Sequence, residues 1–317
     1  MDDINEKRDT MEKRKLGKTG LEISALSFGT MELRLLDTKG AGKILNAALD
    51  NGINYIDTSP EYPMSEYFIG KTIAHRRDEY VLATKCGDNM TGIGPLYIFD
   101  RKTIMDNVDE SLRLMKTDYI DVFQLHGVTP ELLEGGRFGE AMEAMRDIKK
   151  SGKVRHLGLT VCNRAHGQYG YPAGYGYNSI LRFAPWEEIE VIQLVYGGLT
   201  RLSENVIQKA YDDYSTGVIA RGIIKKYDDT YDQKFEIARL SELFEPGETR
   251  NDFLIRYALS HPGLASVVVG TRNINHLTEN ARLAEKGRLP DDVYAEAKRR
   301  LNFAGCIPGP VDMKLDW

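Results

Sequence analysis

Short apolar runs alternate with amphipathic segments along most of the chain. The runs lack strict alternation, as in strands covered on both faces, and predict strands at residues 24–29, 55–59, 80–85, 119–126, 154–161, 189–196, 218–221 and 266–270. Hydrophobic positions at helical spacing predict helices at residues 42–51, from 65 onward, and at 101–116, 138–151, 203–214, 250–260 and 275–286. Only the fifth crossover lacks a helical pattern. Ser65 is the predicted N-cap of the second helix.

Eight strand-helix units in one chain predict an α/β fold, a (β/α)8 TIM barrel. The alternative, a doubly wound open sheet, would need a Gly-x-Gly-x-x-Gly turn after an early strand, and the sequence has none. A β-hairpin at residues 13–23, turning at Gly20, precedes the barrel, and a helix at residues 290–301 follows it. Extra loops occupy residues 164–185 and 228–246. We therefore expect a flexible N-terminal arm at residues 1–12 and a single domain at residues 13–317.

The composition narrows the class of protein. Of the 317 residues, 42% are hydrophobic and 28% are charged, as in ordinary globular proteins. The net charge of -5 argues against nucleic-acid binding, and no apolar run approaches the roughly 20 residues of a membrane span. The three cysteines lie far apart, and the start of the chain lacks the apolar core of a secretory signal. We therefore expect a cytoplasmic protein without membrane or nucleic-acid partners.

Polar side chains end three consecutive predicted strands. Asp57, Lys85 and His126 occupy these ends, and Tyr62 follows the first of them. Neighbouring parallel strands lie about 4.8 Å apart, so their carboxyl ends converge on one patch. In barrel enzymes that patch carries the chemistry.

Six groups of motifs in succession resemble the aldo-keto reductases. They are DTSPEY at residues 57–62 with SE at 65–66, ATK at 83–85, QLH at 124–126, IQLVY at 192–196, VIAR at 218–221, and GTRN at 270–273 with EN at 279–280. The resemblance extends from residue 14 to about residue 301. It implies an oxidoreductase that transfers a hydride from NAD(P)H to an aldehyde, a ketone or an oxidised sugar.

The same resemblance assigns roles to the four polar residues. Tyr62 is the general acid, Lys85 and Asp57 adjust its acidity, and His126 orients the carbonyl. The chemistry is suitable, because a free phenol with a pKa of about 10 donates its proton reluctantly at neutral pH and a nearby ammonium stabilises the phenolate. The alternative interpretation is a structural ion pair inside the barrel. The pattern of Asp, Glu and His does not indicate a metal site.

By resemblance, a nicotinamide dinucleotide lies extended across the barrel mouth. The positions that match its contacts are Thr30, Thr160, Gln193, Arg221, Gly270, Thr271, Arg272, His276, Glu279 and Asn280. His276 stands where an arginine often binds the 2′-phosphate, and Thr160-Val161 replaces a common Ser-Asn pair. NADP(H) is favoured because Arg272 can compensate, and NAD(H) stays open.

The substrate is a small carbonyl compound or alcohol, and its identity and the oligomeric state stay open. Residues 31–36, with three leucines, predict an apolar or mixed pocket without strong charge. The tyrosine- and glycine-rich residues 164–185 suit either the binding of sugar rings or glycosides, or a lid or subunit contact without substrate preference. Two other functions compete: a cofactor-binding regulatory subunit with weak turnover, and a barrel isomerase or epimerase that uses bound NAD(P) transiently.

Overall fold

A closed barrel of eight parallel strands forms the body of the protein. The computed structural model describes residues 11–89, 93, 96–129, 132–161, 179–226, 229–309 and 311. The barrel strands, in chain order, are β3 (Leu26–Gly29), β4 (Tyr55–Asp57), β5 (Val81–Cys86), β6 (Ile120–Val128), β7 (Val154–Val161), β8 (Val191–Val195), β9 (Gly217–Arg221) and β10 (Ser266–Val269). Each strand pairs with its sequence neighbours, and β10 closes on β3. The predicted (β/α)8 fold is confirmed.

Helices cover the barrel, as the amphipathic spacing predicts. In chain order they are α1 (Thr38–Asp50), α2 (Ser65–Thr72), α3 (Arg101–Met115), α4 (Glu140–Lys150), α5 (Ser179–Phe183), α6 (Glu204–Tyr214), α7 (Tyr231–Ile237), α8 (Arg250–Leu259), α9 (Ile274–Lys286) and α10 (Asp291–Phe303). Their apolar sides and the outward-facing strand residues form one large buried core. None of the described helices is both long enough and apolar enough to cross a membrane.

The N-terminal hairpin closes the amino-terminal end of the barrel. Its strands, β1 (Lys13–Lys15) and β2 (Glu22–Ser24), pair antiparallel. Leu16 and Ile23 are fully buried against barrel residues that include Tyr55. Because the hairpin fills this end, only the opposite mouth is left for chemistry. Residues 1–10 of the predicted arm at residues 1–12 lie outside the described part of the chain. Met11, which is described, is buried.

Several element boundaries differ from the prediction. Ser24 belongs to the hairpin rather than to the first barrel strand. Helix α1 begins at Thr38 because the Asp37 carboxylate caps it by accepting from the Gly40 amide. Ser65 is the first residue of α2 and not its cap, since its hydroxyl donates to the Thr30 carbonyl oxygen instead.

Both predicted extra loops contain helical structure. The fifth crossover, for which no helix was predicted, contains the five-residue helix α5; residues 164–178 of that loop lie outside the described part. The second loop contains α7 and a short 3-10 turn at Leu240–Leu243.

A buried ionic network joins α6 to the C-terminal segment. The Arg201 guanidinium donates to both carboxylate oxygens of Glu204 and to the carbonyl oxygen of Cys306. Lys298 on α10 also pairs with Glu204 at 2.7 Å. These contacts fix helix α10 against the outside of the barrel.

Candidate active site

A buried ion pair links the ends of two neighbouring strands. Lys85 Nζ donates to Asp57 Oδ2 at 2.9 Å and to the Thr58 carbonyl oxygen at 2.7 Å. The side chains of Lys85 and Asp57 are only 1% and 5% exposed. Burial disfavours the ammonium, but the Asp57 carboxylate outweighs that cost and leaves the pKa of Lys85 above its ordinary value. Lys85 is therefore a permanent cation at neutral pH.

Tyr62 lies over this pair. Lys85 Nζ is 5.1 Å from the centre of the Tyr62 ring, and no hydrogen bond among the described residues joins its ammonium to the phenol oxygen. Burial raises the pKa of Tyr62; the Lys85 ammonium opposes that rise without cancelling it. The phenol is therefore protonated at neutral pH, as a proton donor must be.

His126 lies near the carboxyl end of strand β6, beside Tyr62. The two rings meet edge to face, with their centres 6.4 Å apart. The Nδ1 atom of His126 lies 2.6 Å from Asp88 Oδ1, and the Ser59 hydroxyl donates to Asp88 Oδ2 at 2.9 Å. Asp88 is a site residue that the sequence analysis missed.

The carboxylates of Glu61 and Asp88 and the ring of His126 offer three metal-ligand atoms within 4.8 Å of one another. Two ligands of one tetrahedral zinc ion would stand about 3.4 Å apart, given metal-ligand distances near 2.1 Å. The 2.6 Å between His126 Nδ1 and Asp88 Oδ1 is instead a hydrogen-bond distance. The cluster is therefore a hydrogen-bonded pair, His126 and Asp88, with the Glu61 carboxylate beside it.

An open cavity of about 310 Å³ occupies the mouth of the barrel. Its lining includes Asp57, Tyr62 and His126 together with Arg221 from β9. No described carboxylate forms an ion pair with the Arg221 guanidinium. Three of the four predicted catalytic side chains therefore line one space, and Lys85 supports them from beneath through Asp57.

Residues after β3 form another part of this lining. Met31, Glu32 and Arg34 line the cavity, whereas Leu33 is fully buried in the core. The prediction of a pocket without strong charge was wrong on this side. The 3-10 turn at Met31–Leu35 directs the leucine inward and the charged side chains toward the mouth.

Gln193 connects the catalytic pair to the inside of the barrel. Its Nε2 atom donates to Asp57 Oδ1 at 2.8 Å, while its Oε1 atom is buried without a partner. A buried acceptor without a hydrogen bond costs folding free energy, and a carboxamide N–H could donate to it. The Thr30 hydroxyl is likewise buried and unpartnered, and the Thr160 hydroxyl accepts from the Gly127 amide at 2.7 Å.

A second groove, of about 810 Å³, continues from the mouth toward α9. Gly270 borders both spaces, so the two adjoin. Of the predicted cofactor contacts, the groove is lined by Gly270, Thr271, His276, Glu279 and Asn280. Arg272 is exposed just before α9 and is not part of the groove lining.

Cations that the sequence analysis missed also line this groove. They are Arg250, Arg282 and Lys286. One guanidinium nitrogen of Arg250, Nη2, is buried without a partner, although Nη1 donates to Asp232 at 2.7 Å. A groove with one unpartnered guanidinium nitrogen and several basic side chains suits a ligand that carries phosphates, such as a dinucleotide. The helical pattern of α8 and α9 marks their buried faces but does not reveal which exposed cations share a groove.

Comparisons with known proteins agree with the barrel fold. The model of the family described as "Aldo/keto reductase family" matches residues 25–301. The "Uncharacterized oxidoreductase YqkF" of Bacillus subtilis is 30% identical, over 89% of this chain and 94% of that protein. The "L-galactose dehydrogenase" of Arabidopsis thaliana is 26% identical, over 85% and 87%. The holo form of the aldo-keto reductase AKR11C1 from Bacillus halodurans superposes with a TM-score of 0.77 at 26% identity, covering 96% of this chain and 99% of that one.

Proposed function

The chain belongs to the aldo/keto reductase family, and from that premise we propose that it is an NAD(P)H-dependent oxidoreductase that reduces a carbonyl to an alcohol with Tyr62 as general acid. One observation carries the proposal: Asp57, Tyr62 and His126 line a single open cavity at the barrel mouth, and Lys85 pairs with Asp57 beneath it.

The residues suit the proton side of that reaction. A nicotinamide dinucleotide, when bound, supplies the hydride that the carbonyl carbon accepts. The negative charge that develops on the carbonyl oxygen is met by the Tyr62 hydroxyl, which gives up its proton, and by the ring of His126. The Lys85 ammonium stabilises the resulting phenolate until solvent returns a proton. The sum is one hydride and one proton added across the C=O bond.

The cofactor assignment rests on unsatisfied groups. Gln193 Oε1 suits the nicotinamide carboxamide, and Arg221 suits its ring face. The basic side chains beside α9 suit the phosphates of NADP(H), which we favour over NAD(H). The other predicted cofactor contacts stay part of this proposal. They are Thr30, Thr160, Thr271, Arg272, His276, Glu279 and Asn280.

The substrate class follows from the lining. Glu32 and Arg34 at the mouth can exchange hydrogen bonds with hydroxyl groups, which favours an oxidised sugar or another hydroxylated aldehyde over a purely apolar one. The name of the plant relative, which acts on a sugar, agrees with this class. We place the reaction in the cytoplasm, where the two buried thiols Cys86 and Cys306 stay reduced.

Oxidation of NADPH and NADH, followed by absorbance with a panel of aldehydes, ketones and oxidised sugars, tests the proposal, with the products identified by mass spectrometry. A reductase consumes one cofactor for each alcohol formed. Cofactor binding without turnover on any carbonyl would instead favour a regulatory subunit. An isomerised product without net cofactor consumption would favour an epimerase.

A further inference from the structure

A second cavity lies between α2 and α3, beside the active site. Its volume is about 340 Å³, comparable with the 310 Å³ of the mouth cavity. The two helices touch at Gly70, where an added Cβ atom would lie 2.0 Å from the Leu114 carbonyl oxygen. One turn earlier along α2, at Glu66, the space opens. Tyr62 borders both cavities, so an occupant of the α2–α3 cavity would lie against the proposed proton donor.

The walls of the α2–α3 cavity are mostly apolar. They are formed by Pro60, Pro63, Met64, Tyr67 and Leu114. Met64 has a φ of 66°, a left-handed conformation that is uncommon for a residue other than glycine, and it is 53% exposed. Concave apolar walls with a few polar groups are typical of sites for small molecules. These walls therefore suit the hydrocarbon part of a ligand.

Three buried polar side chains line the same space. Glu66 is 3% exposed; the Thr84 hydroxyl donates to its Oε1 atom at 2.7 Å, and its Oε2 atom has no hydrogen-bond partner among the described residues. Asn107 is 8% exposed, and its Oδ1 atom accepts from the Gly87 amide, whereas its Nδ2 atom has no partner within the described part of the chain. The Ser111 hydroxyl is buried without a partner. Buried polar groups without hydrogen bonds cost free energy, which a ligand with matching groups would recover.

The charged groups of the lining are carboxylates. Glu66 and Glu110 contribute them, and no lysine, arginine or histidine of the described ranges lines the cavity. Arg113 pairs with the exposed Glu110 at 2.6 Å, whereas Glu66 has no ion-pair partner in the described part. Lys71 and Lys85 lie over the Tyr67 and Tyr62 rings, 5.5 and 5.1 Å from their centres, but outside the lining. The buried carboxyl therefore lacks a cation.

We propose that the α2–α3 cavity is a second binding site, which takes a small organic cation with a primary ammonium on an apolar or aromatic body. The ammonium donates to Glu66 Oε2 and to the Ser111 hydroxyl, and the apolar body packs against the prolines and Leu114. The Asn107 Nδ2 atom donates to a hydroxyl or carbonyl oxygen where the ligand carries one. Burial raises the pKa of Glu66 to about 7, and a bound ammonium favours its ionised form.

The first test compares two probes of the same shape by isothermal titration calorimetry with the full-length protein. They are phenethylamine and 2-phenylethanol, at pH 8, where most of Glu66 is ionised and an alkylammonium, like that of lysine, keeps its charge. We expect the amine to bind about tenfold more tightly, because a hydrogen bond between charged groups is stronger than one to a neutral group. Equal affinities, or no binding of the amine, would overturn the proposal.

The second test locates the ammonium. Glu66→Gln removes the charge and keeps the shape, so the Kd of phenethylamine should rise about tenfold, to the level of the alcohol. Glu32→Gln is the matched control, since Glu32 lines the mouth cavity instead, and it should leave the Kd at the parental value. A Kd that rises equally in both variants would place the amine at the mouth and contradict the proposal.

The third test fills the cavity. Leu114 is partly buried, and the larger indole of Leu114→Trp should occupy the space and abolish binding of both probes. Lys102→Trp, at an exposed position on the same helix, should bind them as the parent does. Parental binding by a folded Leu114→Trp variant would overturn the proposal; if this variant does not fold, Glu66→Gln decides.

These measurements need no cofactor, carbonyl or turnover, and the inference goes beyond the proposed function. A protein that binds the amine in the α2–α3 cavity but reduces no carbonyl would count against the proposed function alone. An active reductase that does not bind the amine would count against the second site alone.

Discussion

The side-chain amide of Gln193 donates to Oδ1 of Asp57 over 2.8 Å and so joins β8 to β4 across the barrel. Because Lys85 occupies the other oxygen of Asp57, this carboxylate is fixed from two sides. The Oε1 atom of the same amide is buried without a partner, and we propose it as the acceptor for the nicotinamide carboxamide.

Gln193→Met therefore should weaken cofactor binding. A lost hydrogen bond of about 1.4 kcal/mol corresponds to a tenfold higher Kd, and we expect about that increase for NADPH. Fluorescence titration of the nucleotide measures it. Gln208→Met, on the exposed face of α6, is the control and should leave the Kd near the parental value. An unchanged Kd for Gln193→Met would contradict the proposed contact.

Lys85→Met should destabilise the fold as well as stop turnover. It leaves the Asp57 carboxylate buried without its cation, a situation that costs about 3–5 kcal/mol of unfolding free energy. Urea unfolding at pH 7 measures the loss. The solvent-exposed pair of Lys102 and Asp106 is the matched control, and Lys102→Met should give little measurable change. Equal effects of the two substitutions would show that the buried pair is not structural.

Glu66 should make the protein less stable as the pH rises. Its side chain is buried beside Thr84, and burial raises its pKa to about 7. The folded state then binds more protons than the unfolded state between pH 4.5 and 7, so the unfolding free energy falls across that window. Glu66→Gln should gain about 3 kcal/mol over the parent between pH 5 and pH 8. Urea unfolding at both values checks this, and a difference that does not change with pH would refute it.

Glu204 should act in the opposite direction. Burial raises its pKa, but Arg201 and Lys298 outweigh burial and lower it to about 2. The carboxylate therefore stabilises the fold above pH 4.5, and the contribution is lost as the pH falls toward 2. Glu204→Gln should unfold about 3 kcal/mol more easily than the parent at pH 7. The deficit should shrink in acid, as measured by thermal unfolding from pH 3 to pH 7; a constant deficit would contradict the assignment.

The sequence predicts the barrel because its eight apolar runs and helical stripes depend on local spacing alone. It also predicts the meeting of Asp57 with Lys85, since neighbouring parallel strands end at the same edge. Asp88 was missed because it lies in the loop after β5, where no periodicity applies. Its position, three residues beyond Lys85 at the carboxyl end of the strand, is the signal that would have indicated it.

Other features depend on tertiary contacts that the sequence does not encode locally. The groove cations Arg250 and Arg282 come from two different helices, and only the packed fold brings them to one space. The resemblance predicts an ammonium near the Tyr62 phenol but not its partners: Lys85 lies 5.1 Å from the ring centre and donates to Asp57 and to the Thr58 carbonyl oxygen.

Turnover of Tyr62→Phe tests the central claim most directly. With NADPH and an aldehyde that the parent reduces, we expect kcat to fall by about 10²- to 10⁴-fold, because the phenol is the proton donor. The Kd for NADPH should stay within about twofold, equivalent to less than about 0.5 kcal/mol. Tyr67→Phe, on α2, should keep parental turnover. A Tyr62→Phe variant that reduces the aldehyde as fast as the parent would contradict the account.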